Sequence, residues 1–343
     1  MPADHSQAAP SPQATILRIT SQLLPARCIA IAAELALADL LTKGPQKAEE
    51  LADSCGIHGP SLFRMMRFLA SIEIFQQNED GRFSNTPQSE VLRKDVPGSI
   101  YSLVRQGWQD VVWETYKMMP QGLKTGDPAF SLAHGKPFFD YLADNPEYGA
   151  MFDTSMALMS GPENAMIAET YPFGDAKTVM DIGGGRGGLL AAVLNQHQSL
   201  TGILFDQPQV VANPEAIIKA GLEDRCDGVA GNFFEAIPAS ADVYMLKRIL
   251  HDWSDEGALR ILTCIRKALT AEDRVAVIDA IIKPGNDADP NKYLDMGIMT
   301  LLQGRERTAE EFENLFTSAG LQLLRILPTP APSTMSIIEG ALA

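Results

Sequence analysis

The second half of the chain alternates short apolar runs with stretches whose apolar residues recur at helical spacing. Apolar runs at 177–182, 200–206, 241–249 and 273–282 have the length and composition of buried strands, and amphipathic segments lie between them. Continuous apolar strands joined by helices predict a parallel sheet covered on both faces. The last two apolar runs, LQLLRIL and TMSIIEGAL, are joined by a short proline-rich link, whereas a parallel crossover needs about a dozen residues or more. We therefore predict an α/β fold with a mostly parallel sheet whose last strand is antiparallel.

The first half of the chain is predicted to be mainly helical. Residues 14–42 carry apolar residues at helical spacing, with a break at Pro25, and the second part is apolar on nearly all sides. Such a helix must be covered by its own domain or by a second subunit, and we favour a subunit interface. Residues 46–95 predict two helices followed by a hairpin, which is the order of a winged helix. Residues 98–170 predict further helices whose aromatic and methionine side chains can line an adaptable apolar pocket.

The winged-helix order also raises a DNA-binding hypothesis. The candidate reading helix carries Arg64 and Arg67 as its cations, whereas affinity for a phosphate backbone needs several. A structural module for dimerisation is the favoured alternative. The predicted domains are a disordered tail over 1–13, a dimerisation and winged-helix domain over 14–97, a helical linker and substrate-pocket segment over 98–170, and a catalytic domain over 171–343.

Composition restricts the partners and the setting of the protein. The formal net charge of −15 argues against nucleic acid or an anionic membrane surface as a partner. No apolar run approaches the roughly 20 residues of a membrane span, and the start MPADHSQAAPSPQ lacks the features of a secretion signal. The 4 cysteines are scattered without a CxxC pair, so neither a disulfide framework nor a zinc site is expected. We expect a cytoplasmic protein.

The stretch VMDIGGGRGG, residues 179–188, joins the end of a predicted strand to a glycine turn and a helix start. Glycines allow a tight turn and close approach of a ligand, and a helix N-terminus offers free N–H groups. Asp206 ends the next predicted strand, where an acid can accept hydrogen bonds from ribose hydroxyls. NAD and S-adenosylmethionine both fit such an adenosine site, but an acid two residues before Gly183 favours S-adenosylmethionine. A plain strand-to-helix turn is the alternative.

The segment LKRILHDWSDE, residues 246–256, places a histidine at the end of a buried strand on the same edge of the sheet. His251 can act there as a general base near neutral pH, and a structural histidine is the alternative. A metal site built from His251, Asp252, Asp255 and Glu256 is less favoured, because these acids run into a helix N-terminus and suit capping.

The chain resembles the plant and microbial small-molecule O-methyltransferases that use S-adenosylmethionine, the group of caffeate, phenazine and polyketide O-methyltransferases. The resemblance rests on VMDIGGGRGG, LFDQPQVV, GNFFEAIP, LKRILHDWSDE and GRERTAEEF, which occur in family order and spacing over nearly the whole chain. It implies a Rossmann-like methyltransferase sheet, an N-terminal winged-helix dimerisation domain and a homodimer. It also implies methyl transfer from S-adenosylmethionine, without a metal, to a hydroxyl of a small aromatic metabolite.

The resemblance implies roles for individual residues. His251 would be the general base, flanked by Asp279 and Glu306. The implied cofactor contacts are Gly183, Gly184 and Gly185 at the methionine part, Asp206 at the ribose, Gly231, Asn232 and Phe233 around the adenine, Lys247 at its far edge, and Met151 and Ser155 elsewhere. The candidate substrate-pocket residues are Trp108, Met156, Met159, Trp253, Met296 and Met299.

Two positions depart from the family pattern. Asn232 stands where aspartate is usual, and its neutral amide both donates and accepts hydrogen bonds. Asp279 stands where glutamate is usual and is shorter by one methylene, about 1.5 Å, so we expect it to hold the imidazole through a water or less firmly. The rival functions are a cofactor-binding relative that hydroxylates or cyclises its substrate, a winged-helix regulator that binds a small molecule, and a dehydrogenase.

Overall fold

The computed structural model describes residues 11–238 and 240–343, which form two compact units. The first unit consists of the described residues up to Asp110 together with Glu147–Leu158. The second consists of Val111–Pro146 and Met159–Ala343. This division differs from the predicted bounds, because the helical segment 98–170 is shared between the units. Of the predicted tail, residues 1–10 lie outside the described part of the chain, and a helix already begins at Pro12.

The first unit is mainly helical, as predicted. Its helices are α1 Pro12–Thr20, α2 Leu23–Glu34, α3 Leu37–Leu40, α4 Ala48–Cys55, α5 Gly59–Ser71, α6 Pro87–Glu90 and α7 Tyr101–Gln106, with a 3₁₀ turn at Leu41–Lys43 and strands β1 Phe75–Gln77 and β2 Phe83–Asn85. The expected break at Pro25 is wrong by a few residues. The chain turns between α1 and α2, and Pro25 lies in the first turn of α2, where a missing N–H leaves no hydrogen bond unmade.

The predicted order of two helices and a hairpin is confirmed. Strands β1 and β2 pair antiparallel, with Phe75 opposite Asn85. Leu51 of α4, Met66 of α5 and Phe83 of β2 are buried in one apolar cluster with Phe75, so the hairpin packs on the helix pair that precedes it.

The stretch Pro12–Glu34 is as long and apolar as a membrane span by length and composition alone. We expected no apolar stretch of this length, so Pro12–Glu34 departs from the sequence prediction. Only 17% of the window is buried, and soluble core helices and N-terminal signals pass the same test, so the match is weak evidence. Within this stretch, Leu17 of α1 is 67% exposed and Leu24 of α2 is 64% exposed.

Within the described residues, seven strands form the sheet of the second unit. They are β3 Thr178–Ile182, β4 Thr201–Asp206, β5 Cys226–Ala230, β6 Val243–Lys247, β7 Arg274–Ala280, β8 Leu321–Pro328 and β9 Met335–Leu342, in the spatial order β5-β4-β3-β6-β7-β9-β8. Strands β3 to β7 pair parallel, and β9 runs antiparallel to both β7 and β8. The predicted fold class is confirmed. The strand order reverses at β3, which is where an open α/β sheet leaves a crevice for a ligand.

Helices cover both faces of this sheet. The helices from Asp110 onward are α8 Asp110–Thr125, α9 Ala129–His134, α10 Phe138–Asp144, α11 Pro146–Thr170, α12 Gly188–Gln196, α13 Pro208–Val211, α14 Glu215–Ala220, α15 Asp255–Ala268, α16 Pro290–Leu301 and α17 Ala309–Ser318, with 3₁₀ turns at Glu223–Arg225 and Leu250–Asp252. One face packs Val179 against Leu190 of α12, and the other packs Met180 with Ile261 of α15 and Phe312 of α17. Alternate residues of β3 thus point into opposite cores, as a pleated strand requires.

Thr308 followed three residues later by Glu311 is the sequence pattern of a capping box, and α17 begins with one. The Thr308 hydroxyl accepts the N–H of Glu311 at 3.2 Å, and the Glu311 carboxylate accepts the N–H of Thr308 at 2.8 Å. Two otherwise unpaired helix N–H groups are satisfied in this way. The cap fixes the start of α17 next to residues 304–307, which reach the candidate site.

Candidate functional site

Side chains are disfavoured at the glycine turn after β3. Gly183 and Gly185 adopt φ of 69° and 57°, the left-handed region that glycine enters without strain. A Cβ on Gly183 would lie 2.5 Å from the Ile249 side chain, and one on Gly184 would lie 2.6 Å from the Asp181 carboxylate. Steric contact therefore favours glycine at Gly183 and Gly184, and backbone conformation favours it at Gly185.

Asp206 lies beside this turn at the end of β4. One of its carboxylate oxygens accepts the N–H of Gly185 at 2.9 Å, and the other accepts the N–H of Gln207 at 2.7 Å. The Gly231 N–H donates to the Asp206 carbonyl at 2.9 Å. The structure thus brings the predicted cofactor residues of three chain segments together at the carboxyl edge of β3, β4 and β5.

The loop after β5 packs on itself and on Trp253. Asn232 accepts the N–H of Phe234 through its side-chain oxygen and donates to Glu235 through its amide nitrogen, each at 3.0 Å. The Trp253 ring meets the Phe234 ring edge-on at a centroid distance of 4.6 Å and the Phe233 ring at 6.2 Å. Trp253, expected in the substrate pocket, therefore packs against Phe233 of the predicted adenine loop and against the next residue, Phe234.

Lys247, at the end of β6, is 8% exposed and is held by α11. Its ammonium donates to the Asn164 side-chain oxygen at 2.7 Å and lies 3.3 Å from the Glu163 carboxylate, which also binds Arg248 at 2.9 Å. Burial lowers the pKa of Lys247 to about 8, although the Glu163 charge opposes this change. The sequence analysis missed Glu163 and Asn164, because their partners lie more than 80 residues away along the chain.

Asp181, on β3, is a second buried charge at the glycine turn. It is 1% exposed, and one carboxylate oxygen has no hydrogen-bond partner among the residues that the structure describes. Burial raises the pKa of Asp181 to about 7, and the nearby Lys247 charge opposes this rise. In the sequence this acid favours S-adenosylmethionine by its spacing from Gly183, and the structure adds that its carboxylate is buried at the turn.

His251 lies in the 3₁₀ turn after β6 and is 5% exposed. Its Nδ1 lies 2.7 Å from the Glu306 carboxylate. Because an ionised carboxylate only accepts hydrogen bonds, we assign the proton of this bond to Nδ1. The other ring nitrogen, Nε2, faces the Asp252 carboxylate at 3.3 Å. Glu306 thus contacts the ring directly at Nδ1, and Asp252 faces the opposite nitrogen. The sequence pattern had indicated only metal binding or helix capping for Asp252.

Asp279, on β7, lies in the same cluster but does not hydrogen-bond the imidazole. It is fully buried, and neither carboxylate oxygen has a hydrogen-bond partner among the described residues. The Asp279 charge nevertheless contributes to the pKa of His251. The shorter acid therefore acts on the ring through space, and Glu306 supplies the direct contact.

The electrostatics of this cluster favour a protonated imidazole. Burial alone would lower the pKa of His251, but the hydrogen bond that the ring donates to Glu306 and the charges of Asp279 and Asp252 raise it to about 9. Burial raises the pKa of Asp279 to about 7 and that of Asp252 to about 6. The imidazole thus lies among three acids, and two of them, Asp279 and Asp252, have pKa values raised toward neutral pH.

The remaining predicted pocket residues are spread over both compact units. Met299 lines a cavity of about 190 Å³ with Met119, Leu123 and Thr300. Met159 and Met296 are 36% and 44% exposed. Trp108, Met151, Ser155 and Met156 belong to the first compact unit, where the buried Ser155 hydroxyl donates to the Met151 carbonyl at 2.9 Å. The roles expected for these four residues stay predictions.

Asp255 takes a structural part at the start of α15. Its carboxylate pairs with Arg307 at 2.8 Å, and the preceding Ser254 caps the helix by accepting the N–H of Gly257. Among the residues that the structure describes, no group of three or more histidine, cysteine or acidic side chains is arranged to hold a metal ion.

Two family models match the chain. The O-methyltransferase domain matches residues 116–322, and the O-methyltransferase dimerisation domain matches residues 17–95. Among curated relatives, a phenazine O-methyltransferase of Lysobacter antibioticus is 37% identical over 317 residues, which cover 90% of each chain. An 8-amino-8-demethylriboflavin N,N-dimethyltransferase of Streptomyces davaonensis is 31% identical and covers 90% of this chain and 89% of its own length.

Solved structures agree with these matches. A mitomycin 7-O-methyltransferase aligns with a TM-score of 0.90 and 34% identity over 96% of this chain and 98% of its own. An O-methyltransferase of neocarzinostatin biosynthesis, solved with S-adenosylmethionine and 2-hydroxy-5-methyl naphthoic acid, aligns with a TM-score of 0.83 and 30% identity over 98% and 100% of the two chains.

The buried Asp279 carboxylate predicts a pH-dependent gain in stability for Asp279→Asn. Its folded-state pKa of about 7 lies above its ordinary value, so the unfolded chain ionises first and wild-type stability falls as pH rises from about 4 to 7. The amide cannot ionise, so the stability of the variant relative to wild type should rise by on the order of 2 kcal/mol between pH 5 and pH 8.

Urea unfolding at both pH values measures this difference. Asp227→Asn, which changes an exposed carboxylate on β5, is the matched control. If the free energies of unfolding of Asp279→Asn and wild type differed by the same amount at pH 5 and pH 8, a raised pKa for Asp279 would be contradicted.

Proposed function

Because the chain belongs to the O-methyltransferase family and carries its dimerisation domain, we propose that it methylates a hydroxyl of a small aromatic metabolite with S-adenosylmethionine as donor. The observation that carries this proposal is the placement of two groups of residues at one sheet edge. The glycine turn and Asp206 follow β3 and β4, and the His251–Glu306 pair follows β6, the other neighbour of β3.

The residues at the glycine turn fit an adenosyl and methionine group. Each carboxylate oxygen of Asp206 accepts one backbone N–H and keeps a lone pair for a ribose hydroxyl. Asp181 has a buried acceptor without a partner among the described residues, which suits a cationic amino group. Gly231, Asn232 and Phe233 would frame the adenine.

We propose that Lys247 supports this site through Asn164. The Lys247 ammonium holds the Asn164 side-chain oxygen, and the amide nitrogen of Asn164 lies 3.1 Å from where a Cβ of Gly188 would be, in the first turn of α12. The adenine contact that the resemblance implies for Lys247 remains part of the proposal, and Asn164 adds a link from this lysine to the end of the glycine turn.

S-adenosylmethionine supplies an activated methyl group on a sulfonium, so the protein has to position the acceptor and remove its proton. We propose that Nδ1–H of His251 donates to Glu306 and that Nε2 takes the proton of the substrate hydroxyl as its oxygen attacks. Asp279 and Asp252 then stabilise the imidazolium, as an aspartate does behind a catalytic histidine. General-base help of this kind contributes about 10²–10⁴-fold, and positioning supplies much of the rest.

A nitrogen acceptor is the second candidate. The N,N-dimethyltransferase relative shows that this family includes nitrogen methylation. Hydroxylation or cyclisation is less favoured, because His251 keeps two buried acids, Asp279 and Glu306, close to its ring. Calorimetric titration with S-adenosylhomocysteine, followed by a screen of phenols and aromatic amines, separates these cases. A product heavier by one CH₂ on oxygen supports the proposal, and methylation on nitrogen alone supports the second candidate.

We also propose a homodimer through α1 and α2. The dimerisation model covers residues 17–95, and Ile16, Leu17 and Leu24 are 62%, 67% and 64% exposed within one chain. Apolar side chains exposed in a row on one helix pair are typical of an interface between subunits.

Loss of the base predicts a strong effect on turnover. His251→Ala should lower kcat by about 10²–10⁴-fold and leave the affinity for S-adenosylhomocysteine within about threefold, because the histidine acts on the acceptor side. Turnover equal to wild type in this variant would remove His251 from the mechanism.

Removal of the Glu306 charge predicts a change in the pH profile. The carboxylate stabilises the imidazolium, so Glu306→Gln should lower the pKa of His251 from about 9 toward its ordinary value. A base acts in its neutral form, so kcat/KM of wild type should rise with pH up to about 9. The acid limb of the Glu306→Gln profile should therefore lie at lower pH, and an unchanged limb would show that Glu306 does not set this pKa.

A charge at the exposed apolar surface predicts dissociation of the dimer. Leu17→Glu combined with Leu24→Glu should convert the protein to a monomer, because two carboxylates would be buried without partners at the interface. Light scattering after gel filtration measures the mass. Ile218→Glu, at a 50% exposed position on α14, is the matched control and should remain a dimer. A dimer that survives both leucine changes would place the interface elsewhere.

A further inference from the structure

Residues 304–307, between α16 and α17, lie directly against the 3₁₀ turn that carries His251. A Cβ on Gly304 would overlap the carbonyl oxygen of His251 and would lie 2.5 Å from the carbonyl carbon of Asp252. Two residues later, Glu306 binds the imidazole Nδ1 at 2.7 Å. The same short segment therefore touches both the backbone and the ring of His251.

Arg307 binds both flanks of this turn. Its guanidinium donates to the Leu250 carbonyl at 3.0 Å and to the Trp253 carbonyl at 3.1 Å, the residues immediately before and after His251 and Asp252. Two further bonds, of 3.0 Å and 2.8 Å, reach one oxygen of Asp255. Arg307 is 1% exposed, and the Leu250 carbonyl that it binds also accepts the N–H of Trp253 at 3.2 Å.

The same residue is also tied to the strand that carries Asp279. The Arg307 carbonyl accepts the N–H of Ile282 at 3.0 Å, and Arg307 forms an isolated bridge with Ile281 just beyond the end of β7. Arg307 thus connects three segments, those of His251, of Asp279 and of its own neighbour Glu306. The hydrogen bonds of its side chain go to carbonyl oxygens and to Asp255 rather than to the His251 ring. Its charge opposes the rise in the pKa of Asp279 that burial causes, so a variant that keeps the charge isolates the effect of Arg307 on position.

We propose that Arg307 is a positioning residue that holds the His251 turn at the distance where the imidazole stays hydrogen-bonded to Glu306. The consequence for catalysis rests on the proposed function, whereas the effect on His251 itself does not. A guanidinium has five donors in a planar fork, which lets one side chain satisfy two carbonyls and a carboxylate at once. A lysine keeps the charge but cannot span the three acceptors.

NMR titration of the histidine side chains tests this position without a substrate. The chain has 5 histidines, and His251→Gln assigns the signal of His251. The groups that face its ring are Asp252 on the same turn, Asp279 on β7 and Glu306 beside Arg307. Arg307→Lys changes none of these charges, so a change in the pKa of His251 reports a change in geometry.

We expect Arg307→Lys to lower the pKa of His251 by on the order of one unit, because the bond to Glu306 loosens. Arg305→Lys is the matched control, since Arg305 lies two residues away, is 41% exposed and pairs with Asp255 and Glu311 on the surface. An unchanged pKa in a folded Arg307→Lys variant, or an equal shift in Arg305→Lys, would overturn the proposal.

A second pair of variants covers the case in which Arg307→Lys does not fold. Gly304→Ala displaces the turn without altering any charge and should also lower the pKa of His251. Gly297→Ala, on α16, meets no atom within 4 Å and should leave this pKa unchanged. Equal titration of His251 in both glycine variants would show that residues 304–307 do not position the base.

Kinetics then separate this proposal from the proposed function. With an accepted substrate in hand, Arg307→Lys should lower kcat by about 10- to 100-fold and change KM and the affinity for S-adenosylhomocysteine by less than about threefold. A rise in KM as large as the fall in kcat would point to a general structural defect and would contradict a positioning role for Arg307. If the wild type methylates no phenol or amine, the proposed function fails, and the titration result still decides the role of Arg307.

Discussion

The buried imidazole of His251 is surrounded by three carboxylates, and the segments around it are arranged to keep this charge cluster in place. Glu306 binds the ring directly at 2.7 Å, whereas Asp279 has no hydrogen-bond partner among the described residues and acts through its charge. Removing Glu306 would leave the buried imidazolium without its direct hydrogen-bond partner, which is unfavourable. The fixed positions of β7, the 3₁₀ turn and residues 304–307 therefore follow from one electrostatic requirement. The result is a buried imidazole whose pKa is raised to about 9.

The parallel sheet explains why this base and the glycine turn are close to one another. Strands β4 and β6 both pair with β3, so Asp206 at the end of one and His251 beyond the end of the other lie at the same edge. The reversal of strand order at β3 opens a crevice between them. The glycine turn packs on the segment that leads to His251, since Ile249, two residues before His251, lies where a Cβ of Gly183 would be. The glycine turn and the His251 turn are thus held together by the packing of one strand end on another.

A second set of buried charges lies on the other side of the turn. Glu163 of α11 pairs with both Lys247 and Arg248, and Lys247 in turn opposes the rise in the pKa of Asp181. Arg248 adopts φ of 56°, a conformation that is unfavourable for a residue with a side chain. The contacts to Glu163 and the hydrogen bond from the Arg248 N–H to Ile278 accompany this backbone, which redirects the chain from β6 into the turn of His251.

The sequence by itself determined the features that depend on neighbouring residues. The order of strands and helices, the glycine turn, the capping box of Thr308 and the antiparallel last strand all follow from local periodicity, turn chemistry or link length, and the structure has them. Only the tertiary structure decided which distant polar groups meet. Packing brings Glu163 to Lys247 and the Arg307 guanidinium to the Leu250 carbonyl, and no local sequence pattern predicts either contact. It also decided that Asp279 acts without a hydrogen bond, since the reach of a side chain depends on where its strand lies relative to the ring. Local sequence thus specified the helices, strands and turns, and the burial of charged side chains between them specified which side chains interact.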